Sequence, residues 1–232
     1  MRIGILETGF PPRELQEAHG TYPDMFAKLL GGHGFEFQAW PVLKDVFPQG
    51  PHDADGWLIT GSRFGVYDDE PWISRAMDLV REIAAAKVPL VGICFGHQLM
   101  AHALGGRAAK SDKGWGLGPV DYRDLESGET MRIIAVHQDQ VLEQPPRTRI
   151  IAENDFCPIA GLAWEDTPAI SWQPHPEMSP AFTTGLIEMR RGLTYDDALA
   201  DAALGRMTEP LTSPALGQRI ARFFEENAKV EA

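Results

Sequence analysis

Cys94 stands between Gly92 and Gly96 in the run Val88-Pro-Leu-Val-Gly-Ile-Cys-Phe-Gly-His-Gln98. An apolar, strand-like stretch, 88–93, stops at the thiol, and a helix-like stretch, 95–104, starts immediately after it. This spacing is the cysteine form of a nucleophile elbow. Such a turn is tight and strained, so its flanking positions need residues without a Cβ. It lifts the sulfur above a sheet edge and sets it at a helix N-terminus, where unpaired N–H groups and the helix dipole favour thiolate over thiol. The chemistry expected at this position is nucleophilic attack by sulfur.

A thiolate nucleophile needs a proton carrier, and that carrier needs a group to fix its tautomer. Of the seven histidines, His175 is the candidate, because it lies between Pro174 and Pro176 and two residues before Glu177. A proline biases the residue before it away from helix towards extended backbone. Gln173 and His175 are both so restricted, which makes 173–177 a stiff arm able to hold an imidazole beside a carboxylate. The other candidates are weaker. His97 and His102, on the helix after the elbow, suit packed or surface positions. His19, His33 and His52 are scattered in loop-like stretches with no partner spacing, so no metal site is expected. His137 with Asp139 reads as a structural turn rather than a second base, and Cys157 as a small buried apolar residue. Trp115, between glycines, suits a pocket wall or core packing equally.

The elements around these residues read as one α/β unit. Short apolar runs at 2–6, 35–40, 56–60 and 88–93 alternate with helical patterns at 22–30 and after Pro71, where Ile73, Ala76, Met77, Val80 and Ile83 recur at helical spacing. The continuous apolar run 88–93 is what a strand buried on both faces of a parallel sheet requires. After Leu104 the texture changes to a glycine-rich loop, 113–119, and short runs near 130–136, 148–152 and 159–164 that suggest antiparallel strands. The run 169–172 leads into the stiff arm, and helices at 180–190, 195–204 and 213–228 follow. Glu225, Glu226 and Glu231 give the last of these a solvated acidic face. With 232 residues, 44% of them hydrophobic, the chain can bury a full core as one domain. A net charge of −12 without a basic stripe argues against nucleic acid. Two cysteines make no disulfide framework. No run is long enough for a membrane span and the N-terminal apolar run is too short for a signal peptide, so a cytoplasmic location is expected.

Gly92-Ile-Cys-Phe-Gly-His-Gln98 together with His175-Pro-Glu177 resembles the class I glutamine amidotransferases, and the chain is similar to the amidotransferase domain of GMP synthase standing alone. Ile59-Thr-Gly-Ser62, Lys113-Gly-Trp-Gly-Leu-Gly118 and His137-Gln-Asp-Gln-Val141 resemble further loops of that family. The resemblance implies a flavodoxin-like, mixed but mainly parallel sheet flanked by helices. It implies a catalytic domain over 1–192 and a helical extension, 193–232, packed on it, which would cover the site edge or mediate dimerisation. It assigns Cys94 as nucleophile, His175 as acid and base, and Glu177 as its orienter. Phe95 and either Gly61 or Ser62 would supply backbone N–H groups to an oxyanion hole. Gln98, Gly114, Trp115, Val136 and His137 would hold the substrate's amino-acid head. Two departures stand out: Ser62 where the family often has glycine, and Pro174 where a bulky apolar residue is common. The implied substrate is glutamine or a γ-glutamyl compound, with no cofactor. Three functions fit: a free-standing γ-glutamyl hydrolase, a glutaminase subunit feeding ammonia to a separate synthetase, and a non-catalytic regulatory module.

Overall fold

A computed structural model describes residues 1–228; Glu231 lies outside the described residues. The first half of the chain forms β1 (Arg2–Leu6), α1 (Arg13–His19), α2 (Tyr22–Leu29), β2 (Glu36–Trp40), β3 (Gly56–Ile59), α3 (Pro71–Ala85), β4 (Leu90–Ile93) and α4 (Phe95–Ala103). Seven strands follow: β5 (Arg107–Lys110), β6 (Gly116–Asp124), β7 (Thr130–His137), β8 (Asp139–Glu143), β9 (Thr148–Glu153), β10 (Gly161–Trp164) and β11 (Ala169–Trp172). Helices α5 (Pro180–Arg190), α6 (Asp197–Gly205) and α7 (Ser213–Asn227) complete the described chain.

Five neighbouring strands, in the order β2-β1-β3-β4-β11, run parallel. This is the flavodoxin-like order, which places ligands at the carboxyl ends of the strands. β10, β9, β6 and β7 extend the sheet by antiparallel pairing, and β5 pairs with β8 apart from it. Side chains alternate across the parallel strands. Leu6, Trp57, Ile59 and Leu90 pack against α3 and α4, whereas Ile3, Ile5, Leu58, Val91 and Ile93 pack against α2 and α7. Every residue of β3 and β4 is buried, which accounts for their unbroken apolar sequences. A third cluster joins Leu15 of α1, Phe182 and Leu186 of α5 and Ala200 and Ala203 of α6 to Ile134 and Val136 of β7.

The register fixes what emerges at the carboxyl edge. Ile59 pairs with Gly92, and Trp172 with Ile93, so the residues after β3, β4 and β11 leave the sheet side by side. Those are Thr60 and Gly61, Cys94, and the arm from Gln173 to Glu177. The strand-to-helix turn at Cys94 is drawn in by two close approaches. A Cβ on Gly96 would sit 2.4 Å from the Ile59 carbonyl oxygen, and one on Gly92 2.6 Å from the Gly96 backbone.

Four sequence expectations are corrected. The glycine-rich stretch becomes strand from Gly116 onward, and Gly118, at φ +79°, admits the Ala203 backbone at 3.1 Å from where its Cβ would be. The stretch 137–141 is not one loop, because β8 begins at Asp139. His19 ends helix α1 rather than lying in a loop. His33 does have a partner: its Nδ1 lies 2.9 Å from Glu225 Oε1, so the acidic face of α7 is not merely solvated.

Gly96→Ala should lower stability by about 1–3 kcal/mol, the usual cost of overfilling a packed site, read as a lower urea midpoint at unchanged m-value. Gly205→Ala, with open space around its Cα, should be neutral or slightly stabilising.

Candidate active site

Cys94 has φ +54° and ψ −105°, a backbone conformation that non-glycine residues rarely adopt and that persists only when its surroundings impose it. Its N–H donates to the Trp172 carbonyl at 2.9 Å, and its own carbonyl accepts from Gln98 N–H at 3.0 Å. The thiol is therefore fastened to β11 on one side and to the first turn of α4 on the other. The first N–H groups of α4 have no carbonyl within the helix to bond, and they start at Phe95, directly beside the sulfur.

The second component arrives on the arm after β11. His175 N–H donates to the Ile134 carbonyl of β7 at 2.8 Å, which anchors the arm between the two prolines. Nδ1 of the ring donates to Glu177 Oε1 at 2.7 Å, fixing the tautomer. Ring and carboxylate are both buried, with side-chain exposures of 4% and 0%. Burial disfavours the imidazolium, but the interactions of the ring with Cys94 and with the Glu177 carboxylate outweigh it and raise the His175 pKa to about 10.

Gly61 closes the third side. A Cβ there would stand 2.8 Å from His175 Cε1 and 3.7 Å from Cys94 Cβ, so only glycine lets the loop after β3 pass so near the imidazole. The loop is held by a threonine pair. Thr8 Oγ1 bonds to the Thr60 carbonyl at 2.9 Å and the Gly61 carbonyl at 3.1 Å, while Thr8 N–H donates to Thr60 Oγ1 at 3.0 Å. With both carbonyls turned towards Thr8, the trans geometry of the peptide turns the N–H groups of Gly61 and Ser62 the opposite way.

Cys94 lies in the wall of a cavity of about 470 Å³. Of the residues the sequence proposed for substrate, Gln98, Trp115, Val136 and His137 line it together with Ser62; Gly114 does not. Gly114 instead takes φ +80° where the chain turns into Trp115, and the Trp115 ring packs edge-on against Tyr195 at 5.1 Å. Thus Trp115 is a cavity wall. Gln98 is 3% exposed, and its amide nitrogen donates to the Asp139 carbonyl at 2.9 Å and to Gln173 Oε1 at 3.1 Å. It ties the elbow helix to the start of β8 and to the arm that carries His175. Charged and phenolic groups at the rim, Arg63, Tyr67, Asp68, Lys110 and Asp139, complete the cavity, with Arg190 and Thr194. These were not legible beforehand, because nothing local in the sequence places them at Cys94.

His137, His97 and Cys157 take buried positions. His137 Nδ1 donates to the Asp139 backbone carbonyl at 3.1 Å, and burial lowers its pKa to about 3. His97 is wholly buried between Ser171 Oγ and the Ile159 carbonyl, with its pKa lowered by burial to about 4. Cys157 is pushed up to about 12 by burial, so it stays a thiol. Among the described residues no three His, Cys, Asp or Glu side chains gather as a metal site, and no helix is long and apolar enough to cross a membrane.

The family model for glutamine amidotransferase class-I matches residues 26–187. This chain belongs to that family. It is 30% identical to gamma-glutamyl peptidase 4 of Arabidopsis thaliana over 70% of each chain. It is 33% identical to a glutamine-hydrolyzing GMP synthase subunit of Archaeoglobus fulgidus, over 69% of this chain and 85% of the relative. A glutamine amidotransferase from Methylobacillus flagellatus has the same fold, with a TM-score of 0.79 at 20% identity over 99% of this chain and 96% of the other. As a class I amidotransferase the chain has the flavodoxin-like sheet that its motifs implied.

The raised His175 value belongs to the folded state, so the stabilisation it reports is complete below the ordinary value of 6.5 and is lost as pH rises through about 10. An NMR titration of the His175 imidazole should find it charged at pH 8, with a midpoint near 10. Removing the neighbouring charge in Glu177→Gln should move that midpoint down by at least about one unit. A wild-type midpoint near 6.5 would contradict the ion pair.

Proposed function

We propose that this chain is a cysteine-dependent amidohydrolase that cleaves the γ-amide of glutamine or of a γ-glutamyl compound. The observation that carries the proposal is the buried His175–Glu177 hydrogen bond set beside Cys94, which lines an open cavity. In this reading the Cys94 thiolate attacks the γ-carbonyl carbon, and the carbonyl oxygen takes up negative charge. Phe95 N–H, at the start of α4, is one donor to that oxygen. Ser62 N–H is the second: the Gly61 carbonyl is held by Thr8 on the far side, and Ser62 itself lines the Cys94 cavity.

Collapse of the tetrahedral intermediate breaks the C–N bond as the His175 imidazolium gives its proton to the departing nitrogen. The ring, now neutral, takes a proton from water, whose hydroxide attacks the thioester. Free glutamate leaves and the thiolate–imidazolium pair is restored. Glu177 holds the ring in the tautomer that presents its other nitrogen to the sulfur, and stabilises its charge. At the cavity rim Lys110 suits the α-carboxylate of a glutamyl head, and Asp68 and Asp139 suit its α-ammonium group. Gln98 acts on the head through the β8 start that it holds.

The likeness to gamma-glutamyl peptidase 4 supports a free-standing hydrolase. The likeness to a GMP synthase component supports a second reading, ammonia supply to a separate synthetase. The two separate in one assay: a free-standing enzyme releases amine or ammonia at full rate when pure, whereas a glutaminase component stays slow until its synthetase is added. In that assay Cys94→Ala should reduce kcat by at least about 10³-fold, and Glu177→Gln by about 10²–10⁴-fold. Unchanged turnover in Cys94→Ala would rule out both readings.

A further inference from the structure

A second cavity, of about 370 Å³, opens on the other side of the reacting pair. His175 and Gly61 line it, and Cys94 does not; Cys94 lines the first cavity, and His175 does not. Ser62, Arg63, Phe64, Val136 and Arg190 line both, so the two spaces meet where sulfur and imidazole meet. An amide attacked by the sulfur and protonated by the ring has its acyl half on the Cys94 side and its leaving half on the His175 side.

The two halves of the site differ in chemistry. The His175 side has an apolar body, made by Phe10, Pro12, Leu43, Met178 and Leu186. Ammonia needs no such space. At the junction stand two cations. Arg63 lies over the Phe64 ring at 5.0 Å, Arg190 reaches the Tyr195 hydroxyl at 3.5 Å, and among the described residues neither is paired with a carboxylate. A carboxylate bound there would lie close to the scissile nitrogen, with an apolar group extending beyond it. That is the layout of an α-amino acid joined through its own nitrogen.

We infer that the preferred leaving group is an apolar α-amino acid, or a peptide beginning with one, so that the favoured substrates are γ-glutamyl-amino acids rather than glutamine itself. Arg63 and Arg190 are the specificity-determining residues for its carboxylate or first peptide carbonyl, and Leu43, Met178 and Leu186 for its side chain. The inference rests on the hydrolase reading. The bond broken remains the γ-amide C–N bond, and the proton on the released amino group comes from His175.

The test compares kcat/KM of the pure chain for four amides: glutamine, γ-glutamyl-glycine, γ-glutamyl-leucine and γ-glutamyl-isoamylamide, the last being the leucine compound without its carboxylate. γ-Glutamyl-leucine should exceed each of the others by about tenfold or more, the discrimination that an apolar side chain or a matched polar group commonly gives. Leu43→Arg should lower the leucine-to-glycine ratio. Arg190→Gln and Arg63→Gln should lower the leucine-to-isoamylamide ratio, with unchanged melting temperatures as the check on folding. Glutamine turned over as well as γ-glutamyl-leucine, or ratios unmoved in all three variants, would overturn the inference and leave the hydrolase reading standing. No turnover of any of the four would overturn both.

Discussion

The backbone at Cys94 is held at φ +54°, and the loop after β3 and the arm after β11 are arranged around that one peptide. Such a conformation costs on the order of 1–3 kcal/mol, so it exists only because β4 and α4 are locked on either side of it. The lock is made of close contacts. Gly92 and Gly96 let the elbow pack onto its own helix and onto the end of β3, and the Cys94 N–H is tied to β11. The same contacts bring Gly61 and His175 to the sulfur, because β3 and β11 are the two strands that flank β4. Loosening the elbow would therefore disturb Cys94, the Gly61 loop and the His175 arm together.

Electrostatically, the centre is the buried His175–Glu177 pair within a chain of net charge −12. Burial alone would keep His175 neutral; Cys94 on one side and Glu177 on the other reverse that. The result is an imidazole that keeps its proton across the neutral pH range. Around the centre charges of both signs meet. Arg63, Lys110 and Arg190 line the cavity at Cys94 together with Asp68 and Asp139.

Much of this was legible in the sequence because the decisive features are local. The glycine–cysteine–glycine spacing, the helix that follows it and the two prolines around His175 each fall within a dozen residues. Helix α1 was not legible: it has seven residues and buries only Leu15, so it has no apolar stripe to read. Strand β8 was hidden because its first residues look like a continuation of the turn after His137. The work of Gln98 was invisible for another reason. It lies one turn from Cys94, but its partners at Asp139 and Gln173 are 41 and 75 residues away. The rim residues Arg63, Tyr67 and Arg190 are brought together only by the tertiary fold, and Gly114, which the motif suggested, serves the turn and not the cavity wall.

In the proposed reaction Cys94 carries the glutamyl group between the two halves. Rapid acid quenching during turnover of a γ-glutamyl amide, followed by intact-mass measurement and peptide mapping, tests it directly. The expected result is a γ-glutamyl thioester on the peptide containing Cys94, absent from Cys94→Ala and never on Cys157. Turnover with no covalent adduct at any quench time, or an adduct mapped to another residue, would contradict it.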